Sequence, residues 1–281
     1  MLQQVIQGFN EAWRKFQYDY IFIDSLFLLV WVGLLIKKKK WNAIKFGVIT
    51  SILVYLIDAV FWWNLPANAH YSPGTTIREY WIGGVKVPKT LGVYFLPKFG
   101  ADFMMCISYS MFIFPWLWIM FENFIKKNTR EILLFTSLFF SSWFLTPFLS
   151  FWLPINDTIV ETVRHMDTQL IVWIVNVIIG YSLLTLIYGT NKFGKKNPKF
   201  IAYVFILGCL GSFFMEFPLF ITGIRPTGVE FLIFEIFILF NQGAPYLFIL
   251  YDVVLPKIIP LLKEKILKKT EVPLVIKNYK V

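Results

Sequence analysis

The sequence predicts an all-α integral membrane protein, a bundle of seven transmembrane helices, and three observations carry that prediction. The first is composition: 57% of the 281 residues are hydrophobic and only 16% charged, against about 45–50% and about 25% in a soluble domain. The second is that the apolar residues fall in seven runs, each long enough at about 1.5 Å per residue to cross a hydrocarbon core of about 30 Å. The third is that lysine and arginine cluster after every second run. Helices are the spanning element because lipid offers no partner for backbone N–H and C=O groups, and the runs are too long for barrel strands of about ten residues.

The runs are Tyr20–Ile36, Phe46–Trp63, Phe99–Phe124, Ile132–Leu153, Gln169–Tyr188, Phe200–Ile221 and Val229–Leu255. Lys37, Lys38, Lys39, Lys40 and Lys45 follow the first, and Lys126, Lys127 and Arg130 the third. Lys192, Lys195, Lys196 and Lys199 follow the fifth; Lys257 and a basic tail follow the seventh. These groups hold 19 of the 27 cationic side chains. By the positive-inside rule they face the cytoplasm, which puts the N-terminus outside and requires an odd number of spans. One transmembrane domain, 1–255, and a basic cytoplasmic tail, 256–281, follow. The lysine placement explains the +10 net charge without nucleic acid and makes anionic lipid headgroups the partner of the basic loops. The localisation expected is the plasma membrane of a prokaryote or an endomembrane of a eukaryote.

Between the runs, Met1 to Tyr18 has no apolar core and does not read as a cleavable signal. The loop 64–98 is rich in Pro, Gly and aromatics, and its length suits a cap or lid. Gly83-Gly84 within it reads as a hairpin turn. The second outer loop, Pro154 to Asp167, reads as helical, with Asn156 as its N-cap. Cys106 and Cys209 lie inside apolar runs, so no disulfide framework is expected.

Ionisable groups inside spans cost about 2.5–3.5 kcal/mol each on insertion scales and usually mark function. Counted from the cytoplasmic lysines at 1.5 Å per residue, Asp24, Asp58 and Glu216 stand roughly 20–25 Å from the inner boundary. Asp102, Glu230 and Glu235 join them, so six carboxylates share the outer half and imply a polar cavity there. Asp58, set among Tyr55, Leu56, Ile57, Phe61 and Trp62, and Glu216, between Gly211 and Pro218, are the candidate catalytic groups. Desolvation would keep such a carboxyl group protonated. On that reading Asp58→Asn and Glu216→Gln fold normally and lose activity.

The seventh run is interrupted by Asn241-Gln242-Gly243-Ala244-Pro245. Pro245 frees a carbonyl one turn earlier, so Asn241 and Gln242 either wall a binding site or re-satisfy the kink. Asn176, Trp116 and Trp118 complete the expected ligand wall. Asp157, Glu161 and His165 at i, i+4 and i+8 form either a solvated helix face or carboxylate and imidazole ligands for a divalent cation.

No motif names a cofactor or a reaction. The leading expectation is an intramembrane acid–base enzyme acting on an isoprenoid, polyene or other lipid: a protonated acid for a carbon–carbon double bond, with aromatic faces for the cation that forms. In design this resembles integral-membrane carotenoid cyclases and hydratases or sterol isomerases. The alternative is a transporter or channel with a carboxylate-lined site, and the third a ligand-binding receptor or assembly protein. Seven spans with the N-terminus outside resemble opsins and G-protein-coupled receptors, but the seventh run lacks a Schiff-base lysine, and Phe121-Glu122-Asn123-Phe124 is not the receptors' acidic–arginine–aromatic motif.

Overall fold

A computed structural model describes residues 11–153, 155–190, 196–258 and 260. Met1 to Asn10, Lys192, Lys195 and almost all of the basic tail lie outside the described residues. Six helices are long and apolar enough to cross a membrane, as in a multi-pass membrane protein. They are α1 (Asp19–Lys37), α2 (Trp41–Asn64), α3 (Gly92–Lys126), α4 (Thr129–Ser150), α5 (Gln169–Gly189) and α6 (Lys199–Ile221). Each falls on one of the first six apolar runs, with α4 ending three residues before the fourth run does.

The seventh run forms two shorter pieces, α7 (Val229–Ile238) and α8 (Ala244–Ile249, continued by a π-helical turn Leu250–Val254). Pro245 explains the break, since it cannot donate into the ladder, while the Gln242 and Gly243 amides still donate to Ile238 and Phe240. The seventh run is thus a broken helix, and no single helix spans it.

The bundle is built around α3. It lies against α2 and α4, and α1 packs on α4, α4 on α6, α6 on α7 and α8 on α5. Trp31 of α1 is fully buried among Phe112, Phe135 and Phe139 and donates its indole N–H to the Met111 carbonyl at 2.8 Å. Small residues allow the closest crossings: a Cβ on Gly47 would lie 2.6 Å from the Pro115 ring.

One end of the bundle carries a four-stranded antiparallel sheet, a feature the all-α expectation lacks. Its strands are β1 (Glu11–Gln17), β2 (Arg78–Ile82), β3 (Val85–Lys86) and β4 (Ile159–His165), in the order β1-β4-β2-β3. Gly83 and Gly84 both adopt positive φ, 59° and 78°, and form the hairpin turn between β2 and β3 as expected. The segment expected to be helical, Pro154 to Asp167, instead contains β4. Ile159, Val160, Thr162 and Val163 are β-branched, and β4 is the central strand with partners on both sides. Asn156 caps no helix; its side-chain oxygen accepts from the Thr158 amide, while Asp19 at the head of α1 accepts from the amides of Ile155 and Asn156.

Candidate functional site

The pleat of the sheet positions the site. Register places Ala12 opposite Arg164 and Arg164 opposite Arg78, with Arg14 opposite Thr162 and Thr162 opposite Tyr80. Side chains on opposed positions share a face. One face therefore carries Ala12, Arg14, Phe16, Arg78, Tyr80, Ile82, Val160, Thr162 and Arg164, and it rests on the helix ends. Three arginines point into the bundle. Like charges directly opposite across a ladder repel, so this face requires counter-ions from below.

The helices supply them. Asp58, in a π-helical turn of α2 (Tyr55–Phe61), reaches between Arg78 and Arg164 and pairs with both. Arg78 is fully buried and makes its other contacts to sulfur, Met105 Sδ at 3.1 Å and Cys106 Sγ at 3.6 Å. Glu216 of α6 accepts from Arg14 Nη2 at 3.0 Å and from the Tyr109 hydroxyl at 2.7 Å. Arg225, just beyond α6, lies 3.3 Å from Glu216 and also pairs with Glu235 of α7. Beside this network Lys98 pairs with Asp102 at 2.6 Å, and Asp102 accepts from Tyr80.

Burial and pairing pull these guanidinium groups in opposite directions. Burial works against the Arg14 charge, but Glu216, Tyr109 and Glu235 outweigh it and hold the group above its ordinary value. Arg78 behaves alike beside Asp58. Arg164 differs: burial, with repulsion from Arg78 and Arg14, outweighs Asp58 and holds the guanidinium below its ordinary value.

A cavity of about 400 Å³ opens beneath the sheet, within the range of about 300–1,000 Å³ of small-molecule sites. Its walls are Val54, Ile57 and Trp62 of α2, Met105 and Phe114 of α3, Val172 and Trp173 of α5, and Leu239 and Phe240. Arg14, Arg164, Asp58, Glu235, Tyr109 and Ser110 give it a polar end, and Asn176, Gln242 and Gly243 line it too. Ile57 and Val172, on its two flanks, are about half exposed, at 45% and 50%, so this flank opens at the surface of the bundle.

The expected site residues divide on this geometry. Asp58, Asn176 and Gln242 line the cavity. Glu216 sits one layer behind it, reached through Arg14 and Tyr109. Asn241 does not line it: its amide is buried against Gly208, accepts from Tyr181 and donates to the Phe237 carbonyl. Trp116 stacks on Phe139 and donates to Thr136, and Trp118 stacks on Phe46. Of the six outer-half carboxylates, Glu230 is exposed and the other five are buried.

Two expectations are corrected. Asp58 and Glu216 are not isolated carboxylic acids, because each is bracketed by two guanidinium groups. The metal stripe fails because Asp157, Glu161 and His165 are not on a helix. Glu161 and His165 occupy the outward face of β4, where Glu161 pairs with Lys15 at 2.7 Å and His165 lies 3.7–3.8 Å from Glu11 and Glu79. Among the described residues no group of three or more His, Cys, Asp or Glu side chains is placed to hold a metal ion.

That outward cluster gives a pH prediction. Burial disfavours the Glu79 carboxylate, but His165, the Lys86 ammonium at 2.7 Å and the Thr76 amide at 3.2 Å bring its pKa down to about 2. A carboxylate whose folded pKa lies below its unfolded value of about 4.3 contributes stability that is full above that value and lost as pH falls towards the folded one. Thermal unfolding in detergent should therefore show a loss between about pH 4.3 and pH 2 that Glu79→Gln abolishes. Identical pH profiles for the two proteins would refute this role.

The sequence marks Arg225 as the cation nearest to Glu216 along the chain, but it does not bring Arg14, Arg78, Arg164 and Tyr109 to the site or give Glu235 its place there. A signal was present: four of the five arginines in the chain lie outside the lysine-rich loops. Arginine is the cation suited to buried, multiply bonded ion pairs. No protein-family model, curated protein or solved structure matches this chain.

Proposed function

We propose that this is a seven-pass membrane protein that binds a chain-like lipid in the cavity beneath the sheet and performs acid–base chemistry on it. The observation that carries this reading is the cavity's amphipathic construction: an apolar flank at the bundle's surface leads to a buried charged end. An isoprenoid or polyene chain suits the flank, entering sideways between α2 and α5. Glu235 takes over the role of acid and base. It lines the cavity, one of its oxygens is bound by Arg225, and the other, buried Oε2, has no hydrogen-bond partner. Donation of its proton to one carbon of a double bond, then return of a proton from the neighbouring carbon, isomerises the chain with no net change in the protein. The rings of Trp62, Phe114, Trp173 and Phe240 offer faces to the intermediate cation.

The test is mass spectrometry of lipids that co-purify with the protein, before and after incubation with them. A Cβ on Gly243 would meet nothing closer than 3.9 Å, so Gly243→Leu should fold and displace the lipid. A stoichiometric lipid lost in that variant, and isomerised by wild type but not by Glu235→Gln, is the expected result. An empty wild-type cavity would overturn the lipid reading. A second reading is transport, favoured by the broken helix, since Leu239, Phe240, Gln242 and Gly243 at the break all line the cavity. A bound lipid or other ligand returned chemically unchanged, with binding that depends on an ion, would select it.

The topology proposed places the sheet outside, the N-terminus with it, and Lys37–Lys40 in the cytoplasm, beside a cleft of about 410 Å³ lined by Lys38, Lys39, Lys40, Trp41 and Glu122. In a Cys-free background, Ser72→Cys and Lys257→Cys should label from opposite sides of the membrane. Labelling from one side would exclude an odd number of spans.

A further inference from the structure

We infer that the cavity's ligand carries an anionic headgroup, a carboxylate or phosphate on a single chain, and that Arg164 with Arg14 receives it. The inference rests on the lipid reading above and names the class of its ligand.

The buried network beneath the sheet contains Arg14, Arg78, Arg164 and Arg225 against Asp58, Glu216 and Glu235. Four cations meet three carboxyl groups, and Glu235 is neutral while it holds the proton it donates, so at most three anions face them. The neighbouring Lys98–Asp102 pair is balanced within itself. Asp24, also buried, lies beside Ser108 and forms no ion pair among the described residues. At least one positive charge is therefore left over in a buried site, where an uncompensated charge is expensive.

Geometry says where the excess sits. Asp58 is shared between two guanidinium groups, of which Arg78 is fully buried and turned towards sulfur atoms, while Arg164 lines the cavity with its side chain 16% exposed. Arg14 lines the same end and uses Nη2 on Glu216. The depressed pKa of Arg164 has the same origin: burial and two neighbouring arginines are opposed by half of one carboxylate. An anion entering from the apolar flank would meet Arg164 over the ring of Trp62, 5.7 Å away, and complete the balance. Guanidinium forks suit carboxylate and phosphate oxygens because they offer paired N–H donors. Asp58 and Glu235 line the cavity too, so a cationic head would also find carboxylates, but each of these already has an arginine. The surplus is positive.

This makes an unusual demand on variants. Arg164→Gln leaves Asp58 paired with Arg78 and removes a surplus cation, so it should fold at least as well as wild type. Arg164→Lys keeps the charge without the fork. The experiment uses the full-length protein, delipidated in an uncharged detergent, with four probes: dodecyl phosphate, dodecanoate, dodecanol and inorganic phosphate. Binding is read by calorimetry and by thermal shift. The expected result is that both anionic chains bind at least tenfold more tightly than dodecanol and raise the unfolding temperature. Arg164→Gln should remove that preference while keeping dodecanol binding, and Arg164→Lys should keep part of it. Equal affinity for the anionic chains and the alcohol, or an Arg164→Gln variant that still prefers the anions, would overturn the inference and leave the lipid reading standing. Inorganic phosphate binding as tightly as dodecyl phosphate would overturn the assignment to a lipid head in favour of a free anion. Failure of all three chains to bind would overturn the lipid reading itself.

Discussion

Asp58→Asn should lower the unfolding temperature by roughly ten degrees, a result opposite to the one expected for an isolated buried acid. The reason is the geometry of the sheet face. Arg78 and Arg164 sit opposite each other across β2 and β4, and Asp58 is the carboxylate between them. Asparagine keeps the shape and can accept a hydrogen bond, but it removes the charge that lets two guanidinium groups share that space. Removing one member of a buried ion pair costs about 3–5 kcal/mol, because the partner is left uncompensated. In a chain of this size each kcal/mol is worth about 2–4 °C. Among the described residues Arg78 pairs with no other carboxylate; its further contacts are Met105 and Cys106 sulfur and the Tyr80 ring. Asp58→Glu should retain most of the stability, since it retains the charge. Thermal unfolding of the three proteins in one detergent decides the matter: an Asp58→Asn midpoint within two degrees of wild type would mean that Asp58 is not the counter-ion.

How much of this was legible in the sequence follows from which forces are local. The first six helices announce themselves because a span must be apolar along its whole length, so each is visible in its own residues. The break at Asn241–Pro245 is equally local, and so is the Gly83-Gly84 turn. The sheet was not visible for two reasons. β1, Glu11–Gln17, is a single amphipathic strand among polar residues. β4 lies in a short connection, where Asp157, Glu161 and His165 also fit helical spacing. Only the pairing of segments about 150 residues apart makes either a strand, and pairing of that range leaves no mark in composition. The site was half legible for the same reason. That Asp58 and Glu216 matter could be read from their depth, because a carboxylate inside a span needs an explanation. What the explanation is could not, because their partners Arg14, Arg78 and Arg164 come from strands outside the spans. In the sequence Glu235 is one of six outer-half carboxylates with nothing to single it out, yet its side chain is buried against Arg225 and lines the cavity.

Arg225 should be the least replaceable residue of the network, and its cost should depend on Glu235. It alone touches two carboxylates, Glu216 at 3.3 Å and Glu235. Arg225→Met leaves these two carboxyl groups as neighbours in a buried site with no cation between them. Glu216 keeps Arg14 and the Tyr109 hydroxyl, but Glu235 loses the one ion pair the structure gives it among the described residues. The expected cost is again about 3–5 kcal/mol. The converse substitution is milder. Glu235→Gln leaves Arg225 beside Glu216, so no charge is stranded, and the loss should stay near 1–2 kcal/mol, that of a charged hydrogen bond replaced by a neutral one. The double variant Arg225→Met/Glu235→Gln should then be little worse than Glu235→Gln alone, because the anion stranded by the first substitution is removed by the second and Glu216 still holds Arg14. A double-mutant cycle read by thermal unfolding measures this coupling, which for groups sharing an ion pair runs to about 0.5–3 kcal/mol. Additive losses would show that Arg225 serves α6 and Glu216 alone, and that Glu235 faces the cavity without an arginine behind it.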